Sequence, residues 1–136
     1  MSDPYLYSVV NHVATFSIND APYNLMSLAY IDRLEEQLPE VLADDSIRAL
    51  VFTGNDLDNF SAGMNLKQIP EGIKRAGSHE AFFGQRHRVL AMIESGGKPT
   101  IATLFGFCLG GGLELPLACH FRLAADAGAQ IGLPEM

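Results

Sequence analysis

The sequence predicts an α/β fold with parallel strand pairing. Short apolar runs alternate with amphipathic stretches in the order strand, helix, strand, helix, strand, helix, strand. Alternation of this kind marks a parallel sheet whose strands are joined by helical crossovers. Glycine or Asp-Pro-Asn turn chemistry separates the runs. The composition fits, with 48% hydrophobic and 18% charged residues, which is globular rather than disordered. A chain of 136 residues fits one domain and can bury a core.

Each element has its own signal. Residues 12–19 (HVATFSIN) place Val13, Phe16 and Ile18 among small polar residues, as a strand does. Residues 20–24 (DAPYN) are a turn. From Ser27, a candidate N-cap, Leu28, Ile31, Leu34, Leu38 and Val41 recur every three or four residues, which predicts an amphipathic helix. Pro39 lies inside it and is expected to kink or shorten it. Residues 49–54 (ALVFTG) read as a strand buried on both faces, and 55–66 as a loop. Residues 79–94 predict a second helix, with Phe82, Phe83, Val89, Leu90 and Ile93 on one side. Residues 99–106 read as a strand, 111–120 open a helix despite Pro116, and 121–125 are a short strand.

Charge and cysteine usage exclude several function classes. The formal net charge of −7 argues against nucleic acid or an anionic membrane as partner, since both call for a basic surface. Cys108 and Cys119 form neither a metal nor a disulfide framework by spacing, so no metal site is expected. They read as two buried free thiols, which suits a reducing, cytoplasmic setting. The first ten residues resemble no signal peptide. The least charged stretch, 101–119, contains glycines, Pro116 and Glu114, and so makes a poor membrane span.

The chemistry is concentrated in GFCLGGGLEL, residues 106–115. Gly110, Gly111 and Gly112 follow a predicted strand and open a helix. A helix start leaves backbone N–H groups unpaired, glycine lets a ligand approach them, and the helix dipole adds positive potential. These features suit an oxyanion or a phosphate. No lysine follows, so it is not a P-loop. It lacks the G-x-G-x-x-G spacing of a dinucleotide fingerprint and the serine of a nucleophile elbow. Instead Glu114 stands in the first turn. A second glycine loop, NFSAGMNL (59–66), also follows a predicted strand, and IGLPE (131–135) brings Glu135. Two such loops can place two N–H groups around one carbonyl oxygen, with two glutamates as general acid and base.

In these three motifs, and in the strand–helix–strand run ending ALVFTG, the chain resembles the enoyl-CoA hydratase/isomerase (crotonase) superfamily over essentially its whole length. The resemblance implies a spiral of ββα units. It implies that residues 1–136 are the N-terminal part of a single domain, truncated before the C-terminal helical region. It implies an oxyanion hole formed by the N–H groups of Met64 and Gly111, flanked by substrate-binding Ala62, Gly63 and Gly110. The Ala62 carbonyl is a candidate contact for the CoA adenine, and Lys67 for a phosphate. Glu114 would act mainly as base toward water, and Glu135 would deliver a proton to the α-carbon. Burial is expected to raise the pKa of one of them. The substrate would be an acyl-CoA thioester, with no separate cofactor, and the family forms trimers, often paired into hexamers. Hydration of a trans-2-enoyl-CoA is the implied reaction. Double-bond isomerisation and a non-catalytic CoA-binding or assembly fragment are the alternatives. The chain departs from the family in three ways: it is about half the usual length, it has one extra residue within 125–130, and it has Asn65 where Asp is common. Of the histidines, His120 reads as a helix-end or core residue. His79 and His87, beside Arg86 and Arg88, read as a solvated face, and His12 has no role.

Overall fold

The computed structural model describes residues 3–55 and 58–134. Among the described residues, seven strands and four helices follow one another as β1 (Tyr5–Val10), β2 (Val13–Ile18), α1 (Leu28–Ala43), β3 (Ala49–Gly54), α2 (Ile69–Ala76), α3 (His79–Ser95), β4 (Thr100–Leu104), β5 (Phe107–Leu109), α4 (Gly111–Ala118), β6 (Phe121–Ala124) and β7 (Gln130–Gly132). A 3₁₀ turn, Leu66–Gln68, precedes α2. The main sheet has the order β1-β2-β3-β4-β6. Its pairings are parallel from β2 onward, while β1 is an antiparallel edge. β5 and β7 form a second, small parallel sheet, which Ser61 joins through a bridge to Cys108. The units β1–β2–α1 and β4–β5–α4 are ββα repeats, as expected.

Alternation along the strands sets the core. Ala14, Phe16 and Ile18 of β2 are buried, as are Leu50 and Phe52 of β3 and Thr100, Ala102 and Leu104 of β4. Phe16 and Phe52 are register partners and stack with centroids 4.9 Å apart. The other face of β3 is only half-buried, which corrects the expectation of burial on both faces. Helix α1 covers the sheet with Tyr30, Ile31, Leu34, Leu38 and Val41. Its N-cap is Ser27, whose Oγ accepts from the Tyr30 N–H at 3.1 Å. Pro39 does not shorten α1, which continues to Ala43. The lost hydrogen bond is offset by burial on both sides of it, at Leu38 and Val41. His12 does not begin a strand. It follows Asn11 in the β1–β2 turn, both at positive φ, and its Nδ1 lies 2.8 Å from the Ser46 carbonyl.

Both cysteines are free and buried, and burial pushes the Cys119 thiol up to about 11. His120 ties the α3–β4 and α4–β6 connections together. Its Nδ1 accepts from the Thr100 N–H at 3.1 Å, and its Nε2 lies 2.8 Å from the Glu94 carbonyl. No helix among the described residues is long and apolar enough to cross a membrane.

Candidate active site

Three connections meet where the main sheet hands over to the small one. The loop after β3 is fixed by two buried amides. Asn59 Oδ1 accepts from the Phe107 N–H, its Nδ2 donates to the Pro22 carbonyl, and Asn24 Nδ2 donates to the Asn59 carbonyl, each at 2.8 Å. Ser61 then pairs with β5 in both directions, donating to the Phe107 carbonyl at 2.9 Å and accepting from the Leu109 N–H at 3.1 Å. The segment Ala62-Gly63-Met64 therefore runs directly beside the glycine turn. The predicted strand 99–106 does not run straight into those glycines. β4 ends at Leu104, the chain bends at Gly106, and β5 intervenes.

Two glycines explain the local sequence. Gly110, the N-cap of α4, has φ 55° and ψ −124°, a left-handed backbone that side chains disfavour. At Gly112 an added Cβ would collide with the Ser61 carbonyl oxygen, so only glycine allows the two loops to close. The same closeness brings the two expected donors together, because a methyl on Gly111 would stand 3.6 Å from Met64 N. Neighbouring N–H groups are spent. Ala62 donates to the Tyr23 carbonyl at 2.9 Å, Gly63 to Ser61 Oγ at 3.1 Å, and Gly110 to the Gly132 carbonyl at 3.1 Å. The Met64 and Gly111 N–H groups have no acceptor among the described residues.

Both residues line a cleft of about 580 Å³, together with Ala62, Gly63, Glu114 and Leu133 among others. Glu114 stands on the first turn of α4 and is exposed, so the burial expected of one glutamate is not found at this one. Glu135 lies outside the described residues. The segment leading to it does reach the site, since β7 pairs with β5 and Leu133 and Pro134 line the cleft. Lys67 is exposed on the 3₁₀ turn, and its backbone N–H donates to Asn65 Oδ1.

One residue of this region was misread from the sequence. Arg86 does not belong to a solvated face with its neighbours His79, His87 and Arg88, which are exposed. It is half-buried, and with Met26, Met64, Val89, Gly111 and Glu114 it lines a small cavity of about 20 Å³ adjoining the cleft. The signal was in the helical period: position 86 falls four residues after Phe82 and three before Val89, on the buried stripe. Phe83, assigned to that stripe, is 37% exposed instead.

A family model described as enoyl-CoA hydratase/isomerase matches residues 14–136. Among curated proteins, the fatty acid oxidation complex subunit alpha of Shewanella baltica (strain OS185) is 35% identical over 125 residues, covering 91% of this chain and 18% of that protein. Among solved structures, an enoyl-CoA hydratase from Bacillus anthracis superposes with a TM-score of 0.82 at 32% identity, covering 98% of this chain and 51% of that one. An enoyl-CoA hydratase/isomerase family protein from Silicibacter pomeroyi gives a TM-score of 0.83 at 29% identity, with 96% and 55% coverage. This chain thus spans about half the length of these structures and a smaller part of the curated relative. On the family match and the shared fold together, the chain belongs to the enoyl-CoA hydratase/isomerase, or crotonase, family.

Proposed function

We propose that the chain binds the thioester of an acyl-CoA and hydrates a trans-2-enoyl-CoA to the 3-hydroxyacyl-CoA. The observation that supports this most is the pair of unspent N–H groups, Met64 and Gly111. They come from two separate loops and lie side by side, and both residues line a cleft that has a glutamate on its wall. In this reading both donate to the thioester oxygen as it gains enolate charge, a term worth roughly 3–4 kcal/mol per donor in enzymes of this type. Glu114 takes a proton from water as the oxygen bonds to C3. Glu135 supplies the proton that C2 receives, so one water is added across the double bond. Ala62, Gly63 and Gly110 shape the approach of the thioester and its coenzyme. No cofactor is called for beyond the coenzyme A that the substrate itself carries.

The test is loss of enoyl absorbance with crotonyl-CoA. Glu114→Gln and Glu135→Gln should each lower turnover by about 10²-fold or more, the range for removing a general acid or base. Turnover that survives both substitutions would exclude the two-glutamate mechanism. A product with a shifted double bond in place of a hydroxyl would replace hydration by isomerisation.

A further inference from the structure

The proposed hydration leaves the guanidinium of Arg86 unused. Arg86 lines the small cavity together with Met64, Gly111 and Glu114, which also line the main cleft. Its guanidinium carbon lies 4.4 Å from the Phe82 ring centroid, so the ring holds the plane in place. Its Nη1 is buried, and no described residue accepts a hydrogen bond from it. Burial draws its pKa below the usual arginine value, opposed by the charges of Asp32 and Glu114. Asp32 is already engaged, by Arg75 at 3.1 Å and Gln85 at 2.8 Å. No ion pair joins Arg86 to Glu114.

Apart from Glu114, the side chains that line the cavity with Arg86 are apolar. An alkyl chain entering there would bury Nη1 against methylenes and leave it without an acceptor, which is costly for a charged donor. A carboxylate would satisfy it with a charge-assisted bond. The cavity has room for about one water molecule, so only a short group can enter. Met26 and Met64 are flexible enough to turn aside for it.

We propose that Arg86 selects short acyl-CoA thioesters whose acyl group ends in a carboxylate. This rests on the acyl-CoA reading above and narrows its substrate class. Glutaryl-CoA and butyryl-CoA form a matched pair, because the first is the second with a carboxylate on C4. Isothermal titration of the intact chain should show glutaryl-CoA binding at least about tenfold more tightly, as expected for a hydrogen bond to a charged group. Arg86→Met should erase that preference and leave butyryl-CoA affinity within about threefold, because the stem is kept. Arg86→Lys should restore part of it and tests the same point if the methionine variant folds poorly. Equal affinity of the unsubstituted chain for both esters, or a preference that survives the loss of the guanidinium, overturns the role of Arg86 and leaves acyl-CoA binding in place. Failure to bind either ester overturns both.

Discussion

Tyr30 is fully buried in the core, and its hydroxyl has no partner among the described residues. Burial pushes its pKa above the usual tyrosine value. A phenol that exchanged water for nothing lowers stability, and removing it costs only packing that Phe reproduces. Tyr30→Phe should therefore raise the unfolding free energy by about 1 kcal/mol, seen as a higher urea midpoint with an unchanged slope. A lower midpoint would mean that a buried water holds the hydroxyl. At this scale the sequence was readable where a residue type is tied to a motif, as with Glu114 and the glycines beside it. It was not readable for the bonds by which Asn24 Nδ2 reaches the Asn59 carbonyl and the Asn59 amide reaches Pro22 and Phe107, because those partners are distant along the chain. Arg86 was within reach of helical periodicity, but its charge hid its place on the stripe.

Helices α3 and α4 make opposite predictions for one kind of substitution. Gly→Ala inside a helix ordinarily gains about 0.5–1 kcal/mol. At Gly84 of α3 an added Cβ meets only Arg88 Nη1 at 3.7 Å, so Gly84→Ala should show that gain. At Gly112 of α4 the Cβ would press on the Ser61 backbone oxygen, and backbone cannot turn aside. Gly112→Ala should cost about 1–3 kcal/mol and spread the two glycine loops. Thermal melts of the two variants should move in opposite directions, and a gain at Gly112 would mean that the loops are not in close contact. The same distinction explains which elements the sequence revealed. α1, α3, β2 and β3 have long periodic stripes or apolar runs, and they stand close to their expected bounds. β5 and β7 have three residues each and exist because they pair with one another, which no local pattern encodes. α2 was missed although Ile69, Ile73 and Ala76 recur at helical spacing, because the run is only eight residues long and Gly72 is its one buried residue.

For the whole molecule, the candidate site is a property of topology. Met64, Arg86 and Glu114 come from the loop after β3, from α3 and from α4, and only the packed order β3, β4, β6 with β5 against β7 brings them to one small cavity. Unfolding disperses them, so a ligand held there binds the native state alone and stabilises it by mass action. At a concentration of about 100 times its Kd, a CoA ester adds about 2.7 kcal/mol. For a chain of this size, that raises Tm by roughly 8–13 °C at about 3–5 °C per kcal/mol. Scanning calorimetry with crotonyl-CoA and with free CoA then separates the contributions. A larger rise for the ester assigns the difference to the acyl group and the thioester oxygen, where the Met64 and Gly111 N–H groups would act. Equal rises would place the grip on the nucleotide portion and remove those two donors from ground-state binding. No rise for either compound, at concentrations that saturate acyl-CoA enzymes, would separate the fold of this family from the ligand proposed for this chain.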